Sequence, residues 1–502
     1  MLKQYYFIKK IVDNQGIILV SLFFILSVFI YKDYGLSWDE PCQQDFGELA
    51  YERIFEQKIN PEYSPKKQNY GIAFEIVLVG IQKIFSITKT SDIYYFRHFF
   101  THLIFLISGF VFYLILKKST LKKAAILGLL FLIVSPRIYA HSFFNPKDIP
   151  LLSFTVFSIY FLQKYLYKPQ LISLIIFAFF CAFVVNIRII GMFIPGILMF
   201  FYFFQLREIR WKKKIQHGAI FSLSFIGFAI LFWPLLWSNT VQSFSEAFSY
   251  FGKFYWNDLV IFRGEHIIAS DLPWYYSIYY IFISVPVLYL LGFIGGLFLV
   301  LRRLINKKIE IETIIFLFLF FTPLTSLVVF ESVVYDGWRH MFYIYPALIF
   351  FGLKLICFLV EKFQKTKVYF IVGVYLVFIS WQMIQLHPYQ NVYFNELVSN
   401  NNIREKYDLD YWGISFKEGI NYVLEDSKKE KIKVCVSNKS GEFNGLLFSE
   451  IDKKRIEFVG IPEESDYFIT NYRFHPLTYS FPNSVYSVKR NNAKILTIFK
   501  MN

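Results

Sequence analysis

Cysteine is nearly absent from this chain, with four in 502 residues, too few for the disulfide framework of a small secreted protein. Charged side chains make up only 18% of the sequence, against about 25% in an ordinary soluble domain. There is no Gly-x-x-x-x-Gly-Lys-Ser/Thr loop and no Gly-x-Gly-x-x-Gly opening a helix, so no motif that cradles a nucleotide phosphate. Internal repeats and low-complexity tracts are also missing. The first apolar run follows Lys9 and Lys10 but ends Phe29-Ile30-Tyr31-Lys32, without the small residues of a cleavage site, and reads as a retained anchor.

What the chain has is apolar and aromatic mass: 56% hydrophobic and 21% aromatic, with Phe 62 and Tyr 36. That mass falls in about eleven runs of near-spanning length, the pattern of a polytopic helical membrane protein. The runs are 16–31, 99–116, 124–136, 149–166, 171–186, 189–206, 218–237, 276–301, 311–330, 341–360 and 368–386. Gly71 to Phe85 is apolar but interrupted by Glu75, Gln82 and Lys83, and reads as a helix lying at the interface. The net charge of +15 sits in short loops and not on a basic face with interleaved aromatics, which argues against nucleic acid. With the N-terminus in the cytoplasm and spans counted alternately, every compact basic cluster falls inside: Lys9/Lys10, 117–123, 207–214, 302–308 and 362–367. One missed span would put the later clusters on the wrong side.

Residues 1–386 then form the membrane domain and 387–502 a small extracytoplasmic α/β domain. In the latter, Lys431–Val436 alternates as a strand should. Ile456–Val459 and Asp466–Thr470 are short strand candidates, Ser415–Leu424 is helical, and Ser484–Lys500 reads as a hairpin turning at Arg490–Ala493. Cys181 and Cys357 lie in spans as small packing residues, whereas Cys42 and Cys435 share the outer side and are a candidate disulfide.

Polar groups at a membrane surface are costly unless used or paired, and five such places share the outer side. They are Ser37-Trp-Asp-Glu40, Arg97-His98, His141 to Pro150, Asn186-Ile-Arg188, and Tyr335-Asp-Gly-Trp-Arg-His340. Acids and bases at one depth suit transfer of a sugar from a lipid phosphate. That reaction needs a carboxylate to take the acceptor's proton and cations to hold the departing phosphate. Asp39 or Glu40 supplies the base, with Asp148 a second acidic candidate. Lys147, Arg188, Arg339 and Arg97 supply the phosphate clamp. His98, His340, Asp336 and Trp338 complete the candidate substrate contacts. Each also has a plainer reading: the Asp-Glu pair as a solvated loop or helix cap, Lys147-Asp148 as the cap of the fourth span, Arg188 as a structural ion pair. His98 and His340 lack ligand spacing such as His-x-x-x-His, so no metal is required and a divalent cation stays an open alternative.

The same residues carry a resemblance. An acidic pair after the first span, the run Asn145-Pro-Lys-Asp-Ile-Pro150 and an intramembrane Arg near a Gly resemble glycosyltransferase family 39. That family includes protein O-mannosyltransferases and the lipid A aminoarabinose transferase, built on the GT-C membrane fold. Ser135-Pro-Arg137, Ala269–Tyr276, Asp336-Gly-Trp-Arg-His340, His387–Asn395 and Asp410-Tyr-Trp-Gly413 are similar to a bacterial subgroup of it. The resemblance implies a hexosyl- or pentosyltransferase in the plasma membrane. It would use a polyprenyl-phosphate sugar donor, invert the anomeric centre and use the first-loop acid, Asp39, as base. Lipid, polysaccharide and protein acceptors stay open. The alternatives from other classes are a transporter or flippase of lipid-linked sugars and a non-catalytic envelope assembly protein.

Overall fold

The computed structural model describes residues 15–58, 71–196, 199–200, 210–237, 239–252, 256–305, 309–399, 401–490 and 492–501. Helices dominate. In chain order they are α1 (Gln15–Ile30), α2 (Glu40–Phe55), α3 (Ala73–Ile84), α4 (Thr90–Lys118), α5 (Ala125–Ile133), α6 (Pro136–Phe144), α7 (Asp148–Tyr167) and α8 (Leu171–Ile187). They continue with α9 (Trp211–Phe232), α10 (Thr240–Gly252), α11 (Tyr276–Ser284), α12 (Val287–Ile305), α13 (Ile311–Val329), α14 (Tyr345–Lys362) and α15 (Lys365–Leu386).

Among the described residues seven helices are long and apolar enough to cross a membrane, or eight if one bent pair is a single span. The chain is a multi-span membrane protein. Eleven expected runs exceed that number for local reasons. The first and fifth, α1 and α8, are apolar helices shorter than eighteen residues. The third is broken, because Pro136 begins a new helix that leaves the preceding one at 62°. The eighth does supply a span, α12, which starts only after Pro286, where Val285 is extended between α11 and α12. Part of the sixth lies outside the described residues.

Close helix contact follows small residues, as expected where lipid gives helices no hydrophobic drive to associate. α12 carries Gly292 and Gly296 one turn apart against α14. A Cβ on Gly292 would sit 3.2 Å from the Gly352 Cα, and one on Gly296 only 1.8 Å from the Phe351 carbonyl oxygen. At one end of the bundle polar pairs pin the helix termini. Glu310 accepts from Lys354 Nζ at 2.6 Å and Thr120 Oγ1 at 2.7 Å, and Glu312 from Gln163 and Tyr167 at 3.0 and 2.6 Å.

At the other end sits the α/β unit. Its five strands are β3 (Ile432–Val436), β4 (Ile456–Val459), β5 (Tyr467–Thr470), β6 (Ser484–Arg490) and β7 (Ala493–Lys500). Their order is β4-β3-β5-β7-β6, with β3 parallel to both neighbours and β7 antiparallel to both of its own. The strand, hairpin and helix expectations for this region match within a residue or two, the helix being α16 (Phe416–Asp426). A separate hairpin, β1 (Leu259–Phe262) with β2 (Glu265–Ile268), rises from the membrane part and meets Tyr407. No disulfide joins Cys42 and Cys435: Cys42 is exposed on α2, and Cys435 is buried in β3 beside Phe468 and Phe499.

Replacing Gly296 with Leu must push α12 away from α14, at a cost of about 1–3 kcal/mol. The thermal midpoint of the detergent-solubilised protein is expected to fall. The same change at Gly373, where a Cβ meets nothing within 4 Å, should leave it in place.

Candidate functional site

The segment after α1, residues 34–39, is clamped by the α/β unit. The Leu36 amide donates to Asn444 Oδ1 and the Trp38 amide to the Trp412 carbonyl, at 2.9 and 3.1 Å. Asn444 Nδ2 donates back to the Leu36 and Gly413 carbonyls at 2.9 and 3.0 Å. A Cβ at Gly35 would lie 2.0 Å from the Ile414 oxygen, so only glycine permits this approach. The segment ends at Asp39, the residue preceding α2, and its carboxylate is about one-third exposed.

Asp148 comes from the start of α7. Asn145 shapes that start: its Oδ1 accepts from the Lys147 and Asp148 amides at 3.2 and 2.9 Å, and its Nδ2 donates to Asp148 Oδ2 at 2.9 Å. The capping role read for Lys147-Asp148 thus belongs to the Asn145 side chain, and the Asp148 carboxylate is turned to other work. Fully buried, it meets Arg188 Nη2 at 2.8 Å and Arg339 Nη1 at 3.4 Å. Arg188 follows the end of α8 in an extended conformation.

Arg339 is the hub. Its Nη1 donates to Asp39 and to Asp148, both at 3.4 Å, and its Nη2 pairs with Asp336 at 3.3 Å. Asp336 and Gly337 both adopt positive φ, +56° and +74°. The tight turn they form folds the Asp336 carboxylate back onto Arg339 three residues later. The guanidinium lies over the rings of Trp412 and Tyr335, 4.6 and 5.1 Å from their centroids. Lys147 stands close enough to Arg188 and Asp39 to feel both charges, and burial, then Arg188, pulls its ammonium down to about 8.

The cluster has one member the sequence reading did not name. Arg473, from the loop after β5, donates to Asp336 Oδ1 at 3.2 Å and to the Tyr411 carbonyl. Nothing local in the sequence marks it, since its partner lies 137 residues away. The Nε atoms of Arg188, Arg339 and Arg473 are all buried and have no hydrogen-bond partner. Arg97 and Arg490 also keep a buried, unpaired Nε, so what sets these three arginines apart is their meeting around Asp148, Asp336 and Asp39.

Other candidates lie in internal pairs. Glu40, 1% exposed, accepts from the Ser37 amide at 2.8 Å and meets His98 Nε2 at 2.9 Å. Arg97, equally buried, is bound by Glu75 and by Gln44 Oε1. Glu75 and Gln82, read as interruptions of an interfacial helix, are the inward face of α3. Trp338 is packed against Phe342 and Tyr345 with its indole N–H on Ser284 at 2.8 Å. His340 stands edge-on to the Tyr335 ring. Among the described residues no three His, Cys, Asp or Glu side chains are grouped to hold a metal ion. The guanidinium of Arg339 lies between Asp39 and Asp148.

Deleting the hub charge would leave Asp39, Asp148 and Asp336 facing one another. The variant Arg339→Ala should lose about 3–5 kcal/mol of stability, read as a lower thermal midpoint. Adding Asp336→Asn should restore part of the loss. An unchanged midpoint in Arg339→Ala would mean that the carboxylates do not depend on this charge.

A sequence model of the family described as dolichyl-phosphate-mannose-protein mannosyltransferase matches residues 83–233, less than a third of the chain. No curated protein matches by sequence. Among solved structures, the Archaeoglobus fulgidus oligosaccharyltransferase in complex with Zn and sulfate is 11% identical. It aligns over 88% of this chain and 64% of its own, with a TM-score of 0.50. The same enzyme tethered to an acceptor peptide containing the NVT sequon is 12% identical over 91% and 65%, also at 0.50. ArnT from Cupriavidus metallidurans bound to undecaprenyl phosphate is 11% identical over 97% and 98%, at 0.49. This chain therefore spans less than two-thirds of the archaeal enzyme's length. Its fold is the GT-C membrane fold.

Proposed function

We propose that this protein is a membrane glycosyltransferase that moves a sugar from a polyprenyl-phosphate carrier to an extracytoplasmic acceptor. The observation that carries the reading is the meeting of Asp39, Asp148 and Asp336 with Arg188 and Arg339, drawn from loops up to 300 residues apart. The stretch matched by the mannosyltransferase family model contributes Lys147, Asp148 and Arg188 to it. In this reading the protein lies in the plasma membrane with its N-terminus cytoplasmic and its α/β unit outside.

Roles follow from exposure and pairing. Arg188, one-quarter exposed, and Lys147 hold the donor phosphate, with the unpaired Nε edges of Arg188 and Arg339 offering further donors. Asp148, fully buried between two arginines, positions them. Asp39, the accessible carboxylate, accepts the proton of the acceptor hydroxyl as that oxygen attacks the anomeric carbon. The bond from that carbon to the phosphate oxygen breaks on the opposite face, and the lipid phosphate leaves with the electron pair, so configuration inverts. Glu40 with His98, and Gln44 with the Glu75-bound Arg97, hold α2, and so Asp39, in place. No step is routed through a metal.

Two measurements test these roles. Asp39→Asn keeps the size of the side chain and removes the base, and should lower turnover by about 10²-fold or more while donor binding persists. Full turnover in a correctly inserted Asp39→Asn protein would end the assignment. The second is a pH profile of phosphate-lipid binding. Because the Lys147 pKa is depressed to about 8, its charge is present below that pH and lost above it. Affinity should weaken as pH rises through about 8 in the wild type and stay level in Lys147→Arg; the same decline in both would remove Lys147 from the phosphate site.

A further inference from the structure

His141 stands one helical turn before Asn145, whose backbone amide donates to the His141 carbonyl at 2.9 Å as α6 ends. At that spacing the two side chains share a face, and Asn145 Nδ2 lies 3.0 Å from His141 Nδ1. The imidazole is fully buried. Its other nitrogen, Nε2, meets the Tyr411 hydroxyl at 3.2 Å and the Trp412 indole nitrogen at 3.4 Å. One side chain therefore touches both halves of the charge cluster. On one side is the turn that aims Asp148; on the other is the loop that lays Trp412 against Arg339 and holds the Trp38 amide.

Counting donors places the proton on this ring. The Asn145 amide is oriented by its oxygen, which accepts from the Lys147 and Asp148 backbone amides. Its nitrogen therefore faces the other way and can only donate. One N–H goes to Asp148 Oδ2 at 2.9 Å and the second to His141. Nδ1 is consequently bare and Nε2 carries the hydrogen. That hydrogen goes to Tyr411 Oη, since the Trp412 indole is itself a donor and stands beyond the ordinary hydrogen-bond range. A second proton on the ring would set N–H against N–H at Asn145. Phe342, edge-on at 4.8 Å, fixes the plane of the imidazole.

We propose that His141 is a positioning residue for the donor phosphate, fixing the Asp148 carboxylate through Asn145 and tying it to the Trp412 loop; the role rests on the glycosyltransferase reading above. Asp148 divides its oxygens between two arginines. Oδ2 takes Asn145 and Arg339, at 2.9 and 3.4 Å, and Oδ1 takes Arg188 at 2.8 Å. Turning this carboxylate misdirects both guanidinium groups together. Asn145 sets its angle, and His141 holds the Asn145 amide by the N–H that Asp148 does not use. Without the bare Nδ1, that N–H is left buried and unpaired and the amide regains freedom to turn. His141 does not touch substrate, because the ring is fully buried and both nitrogens are occupied. It acts through Asn145.

The test uses native mass spectrometry of the full-length protein, with undecaprenyl phosphate and undecaprenol as probes and the thermal midpoint recorded alongside. Two substitutions replace the two ring nitrogens separately: His141→Asn places an amide oxygen near Nδ1, and His141→Gln places its amide near Nε2. The preference for phosphate over alcohol should fall by about tenfold in His141→Gln, the worth of one hydrogen bond, and stay within about threefold of wild type in His141→Asn. His141→Leu fills the space without an acceptor and stands in for His141→Gln should that variant fail to fold, with the same fall expected. An unchanged preference in whichever of these two folds overturns the proposal. So does an equal loss in His141→Asn and His141→Gln, the pattern of a purely structural residue, which lowers the midpoint and the binding of both lipids alike. The wild type separates the two claims. If it prefers the phosphate lipid and the preference ignores His141, only the positioning role fails. If it shows no preference, the phosphate-site reading fails and the role goes with it.

Discussion

The charge on Arg339 is what the rest of this structure is arranged around. Three carboxylates converge on one buried guanidinium, in a membrane protein where each of those charges alone would be expensive to bury. The cluster survives because the charges compensate one another and because two aromatic rings shield the guanidinium. It also has more cationic capacity than the carboxylates consume: Arg188 and Arg473 bring further charge, and all three arginines keep an unpaired Nε edge.

Bringing those groups together constrains the fold at several removes. The segment after α1 must be held against the α/β unit, which Asn444 does through two bonds to the Leu36 backbone and Gly35 permits by having no side chain. α7 must start where Asp148 can reach two arginines, which the Asn145 side chain arranges. α2 must be anchored along its length, and Glu40 with His98 and Gln44 with the Glu75-bound Arg97 do so from α4. The α/β unit is thus a wall of the site and not an appendage, since Arg473 and Trp412 both touch its charges.

Much of this was readable in the sequence because a bilayer imposes long apolar runs, and α4, α7, α9, α13 and α15 lie where those runs are. The strands of the α/β unit were equally plain, since Ile432–Val436 and Ser484–Lys500 alternate and carry their own turn. Three things were not legible. The proline break at Pro286 is hidden inside a continuous apolar run, and the sharp bend at Pro136 falls where the third run ends. α2 has almost no apolar bias, because its buried face is built from Gln43, Gln44 and Glu40 as much as from Phe46 and Leu49. The distribution of charges into pairs was also invisible. Arg97 and Arg339 look alike in sequence, yet one is committed to Glu75 and the other stands between Asp39 and Asp148, and only tertiary contact separates them.

The most direct test of the account is the binding of undecaprenyl phosphate against undecaprenol, measured on the purified full-length protein by native mass spectrometry. The cluster predicts one bound phosphate lipid per chain, a clear preference over the alcohol, and loss of that preference in Arg188→Gln. Equal binding of the two lipids, or a preference that Arg188→Gln leaves intact, would contradict the claim that these loops assemble a phosphate site.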